Sequence, residues 1–283
     1  MNSQYLSGRV MDNGQRTDSL GLLRLHVPGL AMAQPGQFVH LTCGTDLTLP
    51  RPFSILNSHP EAQTIDLLYR VVGEGTRRMA TWQPGFVTPL LGPIGRPFTR
   101  PPTGTRAVLV AGGVGVAPLD FLARRLVAQG VPVTVLWGLE AESPFPVAVD
   151  PGRAGLAEGL AVCHWQAQGI VSRLSAMTPR EGFFQGTVVA LAAEYVQSLT
   201  PEERGKVLLY TCGPWPMMAA LAQVADRFSL RGEASLEARM ACGFGACVGC
   251  VAWMRDGGAG YYRRVCVDGP VFPLAEVDWQ RPG

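Results

Sequence analysis

Along the first hundred residues apolar and polar positions alternate over short runs, and none holds a helical period beyond about two turns. "SGRVMDNG" and "LGLLRLHVPG" read as the arms of a hairpin. "GQFVHLTC" and "TIDLLYRVV" read as further short strands, punctuated by Pro and Gly. A small antiparallel barrel is the natural solution, because closure removes exposed edges.

The pattern changes at "RPPTG", Arg100 to Gly104, a linker by composition. "RAVLVAGG" is an apolar strand running into glycines, "APLDFLARRLVAQG" has helical periodicity with Gly130 as its stop, and "VPVTVLWG" is again a strand. That order predicts a parallel sheet. "KVLLYTCGPWPMMAALAQVADRF" repeats the theme as strand, Cys-Gly-Pro turn and helix. Between them, Glu140 to Arg204 is ambiguous: "GIVSRLSAM" and "VVALAAEYVQSLTPEE" read as helical, and "FFQGTVVAL" begins as strand. From Glu233 onward come a cysteine-rich loop, an Arg/Tyr-rich hairpin ("VAWMRDGGAGYYRRV") and a Pro-containing tail. The expected units are 1–100, 101–232 and 233–283.

Composition narrows the function. A chain of 283 residues with 47% hydrophobic and 16% charged positions has enough apolar material for several compact units. A net charge of +2, with both signs intermixed, gives no footprint for nucleic acid. No signal peptide is visible, and the apolar runs are too short or too rich in Gly and Pro to span a membrane, so a cytoplasmic protein is expected. There, seven cysteines with four near one end do not make a disulfide scaffold.

Those four are Cys242, Cys247, Cys250 and Cys266, a C-x4-C-x2-C run with a distant fourth thiol. Four thiolates suit structural zinc or an iron–sulfur centre. Zinc knuckles usually bring paired C-x2-C units; this spacing is the plant-type [2Fe–2S] pattern with a shorter final gap. Gly243, Gly245 and Gly249 between the thiols permit tight turns and let amides face the sulfurs. A zinc clip stapling a non-redox binding module, or inert thiols, are the alternatives. Cys43 and Cys163 read as buried packing.

Two other segments carry candidate chemistry. "AGGVGVAPL" is a strand-to-helix turn whose Gly112, Gly113 and Gly115 let backbone approach a pyrophosphate. "RPFSI" combines Arg51, able to clamp a phosphate, with Pro52, Phe53 and Ser54, the last within reach of a flavin ring. "GEGT" offers amides at Gly73 and Gly75 and the hydroxyl of Thr76 to a diphosphate. A flavin is the cofactor that converts between the single electrons of a cluster and the hydride of a nicotinamide. The histidines, His26, His40, His59 and His164, are isolated in sequence; His59 reads as a surface-loop residue, with cofactor contact the other reading.

Together "RPFSI", "YRVVGEGT", "LLGPIGRPF", "AGGVGVAPL", "YTCGP", "LEARMACGFGACVGC" and "CVDGPVF" resemble the electron-transfer subunits of NAD-linked, two-subunit bacterial dihydroorotate dehydrogenases, within the ferredoxin–NADP reductase superfamily. The resemblance covers nearly the whole chain. It implies a ferredoxin-reductase-like fold: an antiparallel flavin barrel, an α/β pyridine-nucleotide domain and a small [2Fe–2S] domain. It implies that Arg51, Pro52, Phe53 and Ser54, with Tyr69, Arg70, Val71, Gly73, Gly75 and Thr76, hold FAD. It implies that Gly112, Gly113 and Gly115, with Cys212, Gly213 and Pro214, receive NAD, and that Cys242, Cys247, Cys250 and Cys266 ligate the cluster. In such enzymes dihydroorotate is oxidised at the FMN of a separate catalytic subunit, electrons cross the cluster and FAD to NAD+, and two copies of each chain form a heterotetramer.

The chain departs from the family at "TPREGFFQGTV", Thr178 to Val188, where Pro179 and Arg180 replace acidic residues and Glu181–Gly182 is a partial match. Ribose recognition by a carboxylate, and with it the choice between NAD and NADP, is left open. Other flavin/[2Fe–2S] adaptors, such as the subunits of an NADH-dependent ferredoxin:NADP+ oxidoreductase or a sulfhydrogenase, share the same motifs.

Overall fold

The computed structural model describes residues 3–139, 143–149 and 159–281; Glu140, at the start of the ambiguous segment, lies outside them. The barrel strands are β1 (Gln4–Thr17), β2 (Leu20–His26), β3 (Phe38–Leu41), β4 (Arg51–His59), β5 (Thr64–Arg70) and, after the short helix α1 (Glu74–Ala80), β6 (Val87–Ile94). They close in the order β1-β2-β5-β4-β3-β6. β1 and β2 form the expected hairpin. Alternation puts Leu23, Leu25, Val39, Leu41, Ile55, Ile65 and Leu67 inside, where they form the barrel core.

The second unit begins with β7 (Arg106–Gly112), α2 (Val116–Val127) and β8 (Val133–Gly138). Gly130, at φ +75°, follows the helix as the predicted stop. β9 (Val147–Val149) and β10 (Leu160–Val162) pair as a side ribbon, and α3 (Cys163–Gln166) leads to β11 (Val171–Ala176). "GIVSRLSAM", expected as helix, is therefore strand: it pairs in parallel with β8 through Val171↔Thr134 to Ser175↔Gly138. Its alternate side chains meet the two faces of the sheet, which outweighs the local helical spacing. After β12 (Phe184–Gln185), "VVALAAEYVQSLTPEE" forms two helices rather than one. α4 (Val188–Ser198) and α5 (Pro201–Gly205) are separated at Thr200, which caps α5 in a reciprocal box with Glu203. β13 (Val207–Cys212), α6 (Trp215–Arg227) and β14 (Arg231–Ser235) complete this half.

The last segment carries the hairpin β15 (Val251–Met254) and β16 (Tyr261–Arg264), then β17 (Val271–Pro273). β17 returns antiparallel to β14, giving one sheet of order β12-β11-β8-β7-β13-β14-β17. The cysteine segment is thus pinned at both ends to the same sheet. Its core is shared with the barrel's outer face, since Phe38, Leu91 and Ile94 pack in one cluster with Met240, Cys250 and Cys266.

Candidate electron-transfer site

The cysteine loop leaves β14 and folds back under positive φ at Gly243 (+76°), Gly245 (+88°) and Val248 (+55°). A β-branched residue in that region is unusual, and here it is imposed by a chain curling around its own thiols. Cys242 Sγ accepts from the Cys247 amide at 3.5 Å. Cys247 Sγ accepts from the Gly249 amide at 3.4 Å.

Desolvation pushes the Cys242 thiol up, but amides of Cys247, Phe244 and Ala246 and the Cys247 thiol outweigh it and bring it down to about 6. Burial, then the Cys250 thiol, push Cys266 up to about 12. Arg264 stands over this pair, donating to the Gly245 carbonyl at 3.1 Å and paired with Asp268 at 3.2 Å. Soft ligands, inward amides and a nearby guanidinium fit an anionic metal–sulfur group.

The flavin motif lies on β4, beside the loop. Ser54 pairs with Phe38 and Pro52 with His40, so these four side chains share the barrel's outer face, while Val39, Leu41 and the partly buried Phe53 pack inward. Arg51 reaches the loop of α1: a Cβ built on Gly75 would meet Arg51 Cγ at 3.5 Å and Cys43 Cβ at 3.3 Å. Arg51 and "GEGT" therefore border one cradle. Burial pushes the Cys43 thiol there up to about 11, against the lowering effect of Arg51.

Two sequence expectations change. The Thr76 hydroxyl is turned inward, accepting from the amides of Val72 (3.0 Å) and Gly73 (3.2 Å), so it builds the loop instead of presenting itself to a diphosphate. Tyr69, 1% exposed, donates to Asn13 Oδ1 at 3.0 Å inside the barrel, because its place on β5 points it to the core. Val71 also packs against that core. Arg70, one residue along, points the other way. Its buried Nε has no hydrogen-bond partner, and its Nη2 lies 3.6 Å from a Cβ position at Gly113. A guanidinium left unpaired in that place fits a bound anionic cofactor.

The nucleotide turns meet where strand order reverses between β7 and β13, the usual ligand crevice of an open parallel sheet. A Cβ on Gly115 would strike the Cys212 carbonyl oxygen at 2.3 Å, and one on Gly213 would meet the Gly112 amide nitrogen at 3.0 Å. A Cβ on Gly112 would meet Pro214 Cδ at 2.8 Å. The two glycine turns thus pack against each other with the Met217 side chain closing on both, its Sδ 2.6 Å from the Cβ position at Gly112 and its Cε 2.8 Å from that at Gly213. Gly113, at φ +53°, turns its carbonyl to Trp137 Nε1 at 3.0 Å. Cys212 is buried, which together with the charge of Glu237 keeps its thiol far above the usual range, hence neutral.

Sequence reading missed two groupings. His164 and Trp165 converge on the fully buried Asp120 of α2, with His164 Nε2 at 2.9 Å and Arg124 on the other oxygen. His40, 2% exposed, sits under the cysteine loop. Neither was legible, because the partners are 44 or more residues apart. His59 ends β4 with Nε2 2.8 Å from Asp66, away from the cofactor cradle, and Cys163 is only half-buried.

Comparison with known proteins places this geometry. The model for the iron-sulfur cluster binding domain of dihydroorotate dehydrogenase B matches residues 237–278, and that for the oxidoreductase NAD-binding domain matches residues 109–223. The dihydroorotate dehydrogenase B (NAD(+)) electron transfer subunit of Shouchella clausii is 37% identical, with 87% of each chain covered. The chain belongs to this family of electron transfer subunits. The family member from Desulforamulus reducens is 34% identical over 91% of this chain and 92% of its own. Among solved structures, the NADH-dependent reduced ferredoxin-NADP oxidoreductase superposes with a TM-score of 0.78 at 23% identity, covering 96% of this chain and 90% of that one. The ferredoxin reductase of carbazole 1,9a-dioxygenase gives 0.64 at 19% identity, covering 81% of this chain and 67% of that one. These likenesses establish the ferredoxin-reductase-like fold of the family member described here. Among the described residues, no helix is long and apolar enough to cross a membrane.

Proposed function

We propose that this chain is the electron-transfer half of an NAD-linked dihydroorotate dehydrogenase. Electrons taken from dihydroorotate at the FMN of a separate catalytic subunit leave through it to NAD+, in pyrimidine biosynthesis. The observation that carries this reading is the packing of Cys250 and Cys266 in one cluster with Phe38, the barrel residue paired with Ser54 of the flavin motif. When bound, the [2Fe–2S] cluster supplies single-electron exchange, and FAD converts it to the hydride that NAD+ accepts.

The chain's own residues do the holding. Cys242, Cys247, Cys250 and Cys266 would hold the cluster, while the amides of residues 244–247 and 249 would offset sulfur charge. Arg51, Gly73 and Gly75 would border the FAD diphosphate, and Pro52 and Ser54, on the outer face of β4, would offer the surface for its ring, with Phe53 packing beneath them into the barrel. Arg70 faces the nucleotide turn at Gly113. Gly112, Gly113 and Gly115 with Cys212, Gly213 and Pro214 form the pair of turns that receives NAD, and the lack of a Cβ at Gly112, Gly115 and Gly213 lets the two turns pack this closely.

Phe244 and Val248, exposed on the cysteine loop, and Tyr262 on the adjoining hairpin give the cluster unit an apolar face suited to the catalytic subunit. A cytoplasmic heterotetramer, two of each chain, is the assembly we infer. This chain itself binds no dihydroorotate. Co-expression with an FMN barrel subunit tests the reading: dihydroorotate-dependent NAD+ reduction should need both chains. Full activity from the partner alone would overturn it.

A further inference from the structure

Trp137 and Gly113 meet under the nucleotide turn. Trp137 is the next-to-last residue of β8 and 1% exposed, and its Nε1–H donates to the Gly113 carbonyl at 3.0 Å. The amide of Val116 donates to the same oxygen, so both of its acceptor sites are used. Gly113 stands at φ +53°, which glycine adopts without a Cβ penalty, and Arg70 Nη2 comes within 3.6 Å of its Cβ position from the barrel side. The indole is itself framed. Its ring centroid lies 5.8 Å from those of Trp165 and Phe145. Trp165 donates its own Nε1–H to Asp120, which also holds His164 Nε2 at 2.9 Å and Arg124. Asp120 sits on α2, the helix that begins directly after the turn. Contacts therefore run in a ring from α2 to Trp165, on to Trp137 and back to Gly113.

A trans peptide sets its N–H opposite its carbonyl. With the Gly113 oxygen drawn to a buried indole, the Val114 N–H is turned the other way, out of the core. We propose that Trp137 is a positioning residue for the pyridine nucleotide: it locks the Gly113–Val114 peptide so that this N–H is presented to the nucleotide's diphosphate. The proposal rests on the reading above that this turn receives NAD. A flipped peptide would bring a carbonyl oxygen toward the anion and leave the indole N–H buried without an acceptor. Trp137 thus removes a repulsive alternative while touching no nucleotide atom itself.

The test uses the complex with its catalytic subunit, loaded with FAD and the cluster. Trp137→benzothienylalanine, introduced at that codon alone, keeps the shape of the indole and replaces its N–H by sulfur. In this variant the NADH KM for dye reduction and the inhibition constant of ADP-ribose should each rise about 10-fold, as loss of one hydrogen bond to a charged group implies. kcat, FAD and iron contents, and inhibition by adenosine, which has no diphosphate, should stay unchanged. Trp137→Phe, which also lacks the donor, should show the same rise in KM. Unmoved KM and ADP-ribose values in the isosteric variant would overturn the proposal. So would a loss shared equally by adenosine, or a fall of kcat together with FAD content, since a merely structural role predicts those. Failure of the NAD reading itself is distinguishable: ADP-ribose would then not compete with NADH in the unmodified complex, and the proposal would fall with it.

Discussion

The cluster cradle and the nucleotide crevice do comparable work with opposite means. The first is built by side chains and amides from a nearly continuous stretch, three thiols within nine residues and a fourth sixteen further on. The second is built by absent side chains, where two turns about a hundred residues apart press bare backbones together. A donor set held in one loop tolerates movement around it. A crevice made by removing Cβ atoms tolerates little at Gly115, where an added atom meets the Cys212 carbonyl directly.

Substitutions can break this contrast. Cys247→Ser should have the largest effect: dihydroorotate-to-NAD+ transfer in the complex falls to background while FAD content and NADH-to-dye reduction persist. Retained transfer with the cluster missing would remove the loop from the route. Gly115→Ala should do the reverse. Its Cβ must displace the Cys212 carbonyl, and a shift of that order costs about 100-fold in NADH-to-dye kcat/KM. Iron content should not change.

The nucleotide half also depends on Asp120. Removing that fully buried carboxylate leaves Arg124, His164 and Trp165 without their shared acceptor. Asp120→Ala should cost about 3–5 kcal/mol by chemical denaturation, with the cluster's visible spectrum intact in the folded fraction. An unchanged denaturation midpoint would show that the cluster of donors is not a structural tie.

The smallest effect is on the barrel. Desolvation opposes ionisation of Asp66, but hydrogen bonds from Arg24 and His59 prevail and hold its carboxyl below the usual range. A depressed carboxylate contributes stability above its unfolded pKa, which is lost as pH falls through the folded value. Barrel stability should therefore decline below about pH 4, and Asp66→Asn should flatten that slope.

Much of this was legible in sequence because it was local. Alternation announced the barrel strands, glycine and proline marked their ends, and the cysteine spacing singled out the donor set proposed above. Misreadings arose where tertiary partners decided. "GIVSRLSAM" became strand because β8 lay ready to pair with it, and Tyr69 turned inward because β5 put it on the core side. The Thr76 hydroxyl was already committed to its own loop. His40 carried no signal at all, since its meaning comes from Gly243, about two hundred residues away.

The most direct measurement is a stoichiometry. The purified complex should contain two irons and two acid-labile sulfides per copy of this chain, one FAD, and a rhombic EPR signal on reduction by NADH. Stoichiometric zinc with neither iron nor flavin would contradict the account.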